Sequence, residues 1–195
     1  MKRLAGLSVL AVLTVAINVP AQEGAATHPY YPLKLGSEWV YKVQGGPIKV
    51  KVASAEKIGG TNGYKLETSA GNKVSASETV AVTKEGVQRF NVNGLNPTNP
   101  ILFLPADPEA TATWNVDTEV SGQKIKGTFT AKRDKVTVPA GSYDVIYVSG
   151  KDMTIGATTT SVEYWFAKDI GIVKLRFTLG SQDATLELES YTAGK

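Results

Sequence analysis

The sequence contains no cysteine and only one histidine, His28, and these shortages exclude several kinds of functional site. Without thiols the chain forms no disulfide bond, and it lacks the usual ligands of zinc, copper and haem iron. A Ser-His-Asp triad would depend on His28, which is expected to be poorly ordered near the mature N-terminus, and no G-x-S-x-G sequence is present. The glycine pairs lie between strand patterns, with no helix following them, so no phosphate-binding loop is expected. The sequence therefore predicts no metal site and no cofactor.

Long hydrophobic runs are also scarce, and the single long one lies at the N-terminus. Two basic residues precede an apolar run over residues 4–19, and Ala21 supplies the small side chain that signal peptidase favours. The run is short for a membrane span, which needs about 20 apolar residues, although an N-terminal anchor is the alternative interpretation. We predict a signal peptide over residues 1–21 and a flexible mature terminus over 22–29. The mature protein is then exported and soluble, periplasmic or extracellular, with no transmembrane span after cleavage.

The charges of the mature chain nearly balance. Of the 21 basic residues, two are Lys2 and Arg3 in the predicted signal, which leaves 19 basic side chains against 18 acidic ones. No cluster of lysine and arginine is interleaved with aromatic residues. Nucleic acid is therefore not an expected partner.

Apolar and polar residues alternate through most of the mature chain. Ile48, Val50 and Val52, for example, alternate with Lys49 and Lys51. A period of two places apolar side chains on one face of a strand, and no long window has the spacing of a helix. Turn sequences rich in glycine and asparagine separate the runs. The predicted strands cover residues 38–44, 47–58, 63–70, 73–83, 86–92, 111–120, 124–138, 142–153, 157–167, 171–179 and 183–191.

The short links between these strands indicate a meander in which consecutive strands are antiparallel neighbours. The strand at 124–138 would extend about 45–50 Å, and its apolar positions change parity near 133–135, which indicates a bulge or a sharp bend. Long, bent strands favour a strongly curved sheet. We therefore predict one all-β domain over residues 30–195. It is a single strongly curved antiparallel meander sheet, a half-barrel or open barrel of ten or eleven strands, with little helix.

Residues 94–110 interrupt the meander, because prolines flank a run of four apolar residues at 101–104. Proline cannot donate to a strand ladder, so a central strand is disfavoured here. The four apolar side chains could plug the concave face of the sheet or form a mobile lid over an apolar cavity.

Aromatic residues form stripes on several predicted strands, and such stripes commonly belong to a core. A curved sheet without helices must, however, fill its concave side with loops or with a ligand, which is the basis for predicting a binding site. Alternation alone does not identify the concave face. The predicted lining of the site is Trp39, Tyr41, Ile101, Leu102, Phe103, Leu104, Tyr147, Tyr164 and Trp165.

Glu163 is the strongest candidate for carboxylate chemistry, because it lies in the aromatic segment 162–166. It shares a face with Trp165, so a concave position for that face would bury it partly and shift its pKa. The alternative is that Glu163 is a rim residue or a cross-strand partner of a lysine. Asp107 and Glu109 lie in the proline-rich loop, without the ligand spacing of a known calcium site.

Three segments carry a combination of motifs. Residues 31–41 read YPLKLGSEWVY, residues 138–144 read VPAGSYD, and residues 163–174 read EYWFAKDIGIVK. They resemble the patterns Y-x-P-L-x-x-G-x-x-W-x-Y, V-P-A-G-[ST]-[FY]-[DE] and W-[FY]-A-x-x-[IV]-G-[IV]-V-K of a broad group of exported bacterial all-β domains, similar to the half-barrels of lipoprotein carriers. The resemblance implies a strongly curved antiparallel sheet and no known activity. This chain lacks the lipobox cysteine of many such proteins.

The leading functional hypothesis is an exported, non-catalytic binding module that holds an apolar or lipid-like molecule, or a segment of an envelope protein, on its concave face. The alternative is an envelope structural or interaction domain with a filled core and no small ligand. A hydrolase that depends on Glu163 and a second carboxylate is the third hypothesis.

Overall fold

The computed structural model describes residues 26–195, and these form a single sheet of twelve antiparallel strands. The predicted signal peptide at residues 1–21 lies outside the described residues. No helix in the described range is long and apolar enough to cross a lipid bilayer. The strands are β1 (Glu38–Lys42), β2 (Ile48–Ile58), β3 (Thr61–Ala70), β4 (Lys73–Val82), β5 (Gly86–Val92), β6 (Ile101–Pro105), β7 (Ala112–Val120), β8 (Gln123–Val138), β9 (Gly141–Ile155), β10 (Thr158–Ala167), β11 (Gly171–Leu179) and β12 (Gln182–Thr192).

Nearly every strand pairs with its neighbours in sequence, and the pairing of β1 with β12 joins the two ends of the sheet-forming chain. The sheet order β6-β5-β4-β3-β2-β1-β12-β11-β10-β9-β8-β7 leaves β6 and β7 as edges. The Trp114 indole on β7 donates to the Leu102 carbonyl oxygen on β6 at 3.0 Å, and the Thr118 hydroxyl donates to the Asn99 carbonyl oxygen at 2.8 Å. These bonds link the two edges, so the sheet is nearly closed into a barrel. The predicted fold class is confirmed.

β6 is the strand that the sequence analysis did not predict. Its prolines are compatible with a strand because β6 lies at a sheet edge, where one side of the ladder needs no donor. It pairs with β5 from Arg89↔Ile101 to Gly86↔Pro105. Ile101, Phe103 and Leu104 are buried, so the segment fills the interior as a packed strand.

In the last hairpin Lys174 lies opposite Glu187, and their charged groups are 2.8 Å apart. In β8 the buried positions change from Phe129 and Ala131 to Val138, as the parity change at 133–135 indicates. The ladder with β9 is continuous at 133–135, however, and its register shift lies between Lys126 and Thr128. Of the two alternatives that the parity change left open, a bulge at 133–135 is therefore wrong, and a sharp bend stays a prediction.

His28 is not the poorly ordered residue that the sequence analysis expects, since its side chain is only 4% exposed. Its Nδ1 atom accepts a hydrogen bond from the Tyr30 backbone N–H at 3.2 Å. The proton of the neutral ring is therefore on Nε2, which donates to the Pro105 carbonyl oxygen at 3.1 Å. The imidazole thus ties the N-terminal segment to the end of β6.

We expect the protein to lose stability in mild acid through His28. Burial lowers the pKa of His28 from its ordinary 6.5, against an opposing contribution from the bonds to the Pro105 and Ala106 backbone. The stabilisation is fully present above the unfolded pKa of 6.5 and is lost as pH falls through the lower pKa of the folded state. Urea unfolding between about pH 8 and pH 5 measures this loss, and the variant His28→Gln should lack that part of the pH dependence. An unchanged pH profile in the variant would show that other groups cause the acid sensitivity.

Candidate functional site

The two ends of the barrel differ in chemistry. Because neighbouring strands are antiparallel, the turns after odd-numbered strands all lie at one end, which we call the mouth. The turns after even-numbered strands lie at the other end, the base, together with the N-terminal segment at 26–37. The base turns contain Lys84, Glu85, Asp107, Glu109, Lys168 and Asp169, whereas the mouth turns contain no charged residue. The mouth turns are residues 43–47, 71–72, 93–100, 121–122, 156–157 and 180–181.

Aromatic side chains fill the interior of the barrel on the base side. Tyr31, from the N-terminal segment, stacks on Trp39 with 6.2 Å between ring centroids. It also meets Phe103 and Phe166 edge-on at 5.7 Å and 6.0 Å. The Trp39 indole donates to the Ile170 carbonyl oxygen at 2.7 Å, so this large ring is buried with its polar atom satisfied.

Most of the predicted lining residues belong to this filled interior. Three of them, Trp39, Tyr41 and Tyr164, border a partly open interior cavity of about 120 Å³. Ligand pockets usually measure about 300–1,000 Å³, and a cavity of about 150 Å³ holds one benzene molecule. The cavity is therefore too small for a lipid chain. The buried members of the predicted lining are Trp39, Tyr41, Ile101, Phe103, Leu104 and Tyr164.

The structure does not bring Tyr147 and Trp165 together with the other predicted lining residues. Tyr164 and Phe166 belong to the core cluster, so Trp165, between them on β10, lies on the opposite, outer face. Its ring packs on that of Tyr147 at 5.0 Å, and the Lys174 ammonium lies 5.6 Å from its centroid. Tyr147 and Trp165 are therefore not part of the concave lining. Aromatic residues occupy both faces of β10, so alternation alone did not show which of them lie inside.

Leu102 is likewise separated from the buried members of its strand. It is only partly buried, and its carbonyl oxygen accepts the bond from the Trp114 indole. Leu102 therefore contributes to the link between β6 and β7 through its backbone.

Glu163 lies on the outer face as a cross-strand partner rather than in a cleft. It accepts a hydrogen bond from the Tyr147 hydroxyl, and its carboxylate is 3.8 Å from the Arg176 guanidinium. Burial, followed by this hydrogen bond, raises the pKa of Tyr147. No second carboxylate is among these contacts, and within residues 26–195 no three acidic or histidine side chains converge on a metal position. The arrangement gives Glu163 no partner for glycosidase-type chemistry.

A charged pair that the sequence pattern did not predict borders the interior cavity. The Arg89 Nε donates to the Glu78 carboxylate, and the two side chains are only 19% and 25% exposed. Arg89 also lies over the Phe103 ring, 4.9 Å from its centroid. Burial disfavours the charged guanidinium, but Glu78 and Tyr164 outweigh it and raise the pKa of Arg89. The sequence contained an indication of this position. Glu78 lies two residues before the buried Val80 on β4, so the two side chains share a face of the strand.

The mouth holds an open, mainly apolar pocket of about 340 Å³ between the β5–β6 loop and the β7–β9 strands. Its volume falls within the usual range for small-molecule sites. Ile101 is the only predicted lining residue that borders it. The pocket is lined by Val92, Leu95, Ile101, Val120, Ser121, Gln123, Ile125 and Ile155.

On β11 the inner face stays apolar up to the mouth and is exposed there. Phe177 and Leu179 follow Leu175 at intervals of two on β11, and Leu175 packs against the core. Phe177 and Leu179 are nevertheless 40% and 42% exposed, and Val74 and Leu95 at the same end are 52% and 47% exposed. Four of the five large apolar side chains that are exposed among the described residues thus lie at this one end of the barrel.

No protein-family model matches the sequence, and no curated protein sequence is significantly similar to it. Among solved structures, a candidate lipoprotein from Parabacteroides distasonis ATCC 8503 is similar with a TM-score of 0.50 and 13% identity, over 86% of this chain and 100% of that chain. A candidate exported protein with a YmcC-like fold from Bacteroides fragilis NCTC 9343 has a TM-score of 0.43 and 13% identity, over 84% and 98% of the two chains. At this identity the likeness to the Parabacteroides protein concerns the fold alone.

Proposed function

We propose that this chain is an exported, non-catalytic binding module that holds an apolar or amphiphilic molecule in the mouth of its barrel. The observation that carries the proposal is the exposed apolar inner face, with its pocket of about 340 Å³. The Parabacteroides protein of similar fold is described as a candidate lipoprotein, which is compatible with an exported role. The N-terminal sequence independently predicts export.

The binding position differs from the one that the aromatic stripes predict. Trp39 and Phe103 already pack against other rings in the interior, so a ligand there would have to displace a well-packed core. At the mouth, Leu95, Ile125 and Ile155 offer apolar surface in an open pocket. Burying this surface under a ligand is favourable without any rearrangement of the barrel.

Thermal stability in the presence of a lipid panel tests this proposal. Delipidated protein should gain thermal stability with palmitic acid or monopalmitoylglycerol, since a ligand that binds only the folded state stabilises it by mass action. The variant Leu95→Ser should weaken binding about tenfold, because it removes one apolar contact. Leu35→Ser is the matched control, since Leu35 is 50% exposed against 47% for Leu95 and lies outside the mouth, before β1. Equal stabilisation of both variants, or no stabilisation of the parent by any lipid, would reject the proposal.

The second candidate is an envelope structural or interaction domain without a small ligand. It is favoured by the filled interior, whose cavity measures only about 120 Å³. The same lipid panel separates the two candidates, because a domain of this second kind gains no stability from any lipid.

A further inference from the structure

We propose that the mouth of the barrel is a docking surface for a lipid bilayer. The proposal goes beyond ligand binding, because the same surface would dock whether or not a molecule occupies the pocket. It rests on the distribution of charge and of exposed apolar side chains between the two ends of the barrel.

The turns of the mouth carry no charge. Its six turns contain no charged residue, although the turns at the base contain six. The strand residues immediately next to these turns include the cations Lys42 and Lys73 and no carboxylate, and the first carboxylates, Glu119 and Asp183, lie one position further along the strands. A surface that enters the interfacial region of a bilayer must lose part of its hydration, which is costly for carboxylates and inexpensive for neutral or apolar groups. Lysines at such a rim can extend their ammonium groups towards water or phosphate oxygens.

Large apolar side chains are exposed near this rim at separated positions. Val74 is on β4, Leu95 is in the β5–β6 loop, and Phe177 and Leu179 are on β11. The sheet order places β3, β2, β1 and β12 between β4 and β11, so the exposed residues lie around the opening rather than in one patch. A second copy or a rigid protein partner would need a matching ring, whereas a fluid bilayer conforms to any outline. The geometry therefore favours a lipid surface.

Co-flotation with phosphatidylcholine vesicles tests this docking. The protein should float with the vesicles and remain bound in about 1 M salt, because the contact is apolar rather than electrostatic. The double variant Phe177→Ser/Leu179→Ser should partition at least about tenfold more weakly, since a buried leucine or phenylalanine side chain contributes about that factor. Leu35→Ser, which removes an equally exposed leucine remote from the mouth, should bind like the parent.

Site-specific labels show which end makes the contact. The chain has no cysteine, so Ser181→Cys at the mouth and Lys84→Cys at the base can each carry a single environment-sensitive fluorophore. Vesicles should shift the emission of the Ser181 label to the blue and leave the Lys84 label unchanged. Equal shifts at both ends, no shift, or a shift that depends on protein concentration without lipid would overturn the proposal, the last by showing self-association.

The lipid panel and the vesicle experiment can reject ligand binding and membrane docking independently of each other. Vesicle binding without stabilisation by any lipid monomer would leave a docking domain without a ligand. Stabilisation by monomeric lipid without vesicle binding would leave a binding module that does not dock.

Discussion

Replacing Phe103 with alanine is expected to lower the free energy of unfolding by about 3–5 kcal/mol, the usual cost of removing a buried phenylalanine. Phe103 is 1% exposed and packs against the rings of Tyr31, Tyr164 and Phe166. Its loss would leave a cavity and would also remove the ring beneath the Arg89 guanidinium. The midpoint of thermal unfolding should fall by roughly 10 °C in a chain of this size.

The matched control is Leu102→Ala on the same strand, because Leu102 is only partly buried. Leu102→Ala should lower the free energy of unfolding clearly less than Phe103→Ala does. The comparison decides between the two roles that the sequence left open for residues 101–104. If residues 101–104 formed a mobile lid, both substitutions would lower the free energy of unfolding only slightly. Small and equal losses of stability would therefore contradict the packing of β6 in the interior.

Replacing Gly86 with alanine is expected to destabilise the protein by more than about 3 kcal/mol, through a clash with backbone that cannot move aside. Gly86 has a φ of +132°, and a Cβ atom there would lie 2.1 Å from the Leu104 carbonyl oxygen and 2.7 Å from the Ala106 nitrogen. The substitution should separate β5 from β6 and thereby open the edge of the barrel. Urea unfolding measures the loss of stability.

Gly60→Ala separates the clash from the cost of a positive φ. Gly60 has a φ of +87° with nothing near its added Cβ atom, so its substitution should cost only about 1–2 kcal/mol. Similar losses in the two variants would mean that the close approach of Gly86 to β6 does not matter for stability.

The sequence predicted the strands well because each one buries a single face, which produces a clear period of two. β6 escaped prediction because Ile101, Phe103 and Leu104 are all buried, so its burial does not alternate, and because its prolines are tolerated only at an edge. The packing of His28 was unpredictable for a different reason. The segment at 26–37 has no periodicity, and its position depends on contacts with distant strands such as the bond to Pro105.

The site was predicted less well than the fold, because alternation defines two faces without saying which one is interior. On β10, Tyr164 and Phe166 lie inside while Trp165 lies outside, and both faces carry aromatic residues. The sequence did contain a signal for the mouth, since the turns after alternate strands contain no charged residue. That signal becomes visible only when the strands are assigned directions in an antiparallel sheet. Membership of the exported β-domain group that the motifs resemble stays a prediction.

The central claim is that the barrel is filled on its base side and presents an accessible apolar inner face only at the mouth. Mapping amide chemical shifts by NMR during titration with the apolar probe N-phenyl-1-naphthylamine tests it most directly. We expect shifts at residues 92–101, 120–125 and 155, with the indole N–H signals of Trp39 and Trp165 unchanged. Shifts at Trp39, Tyr41 and Tyr164 without any at the mouth would contradict it.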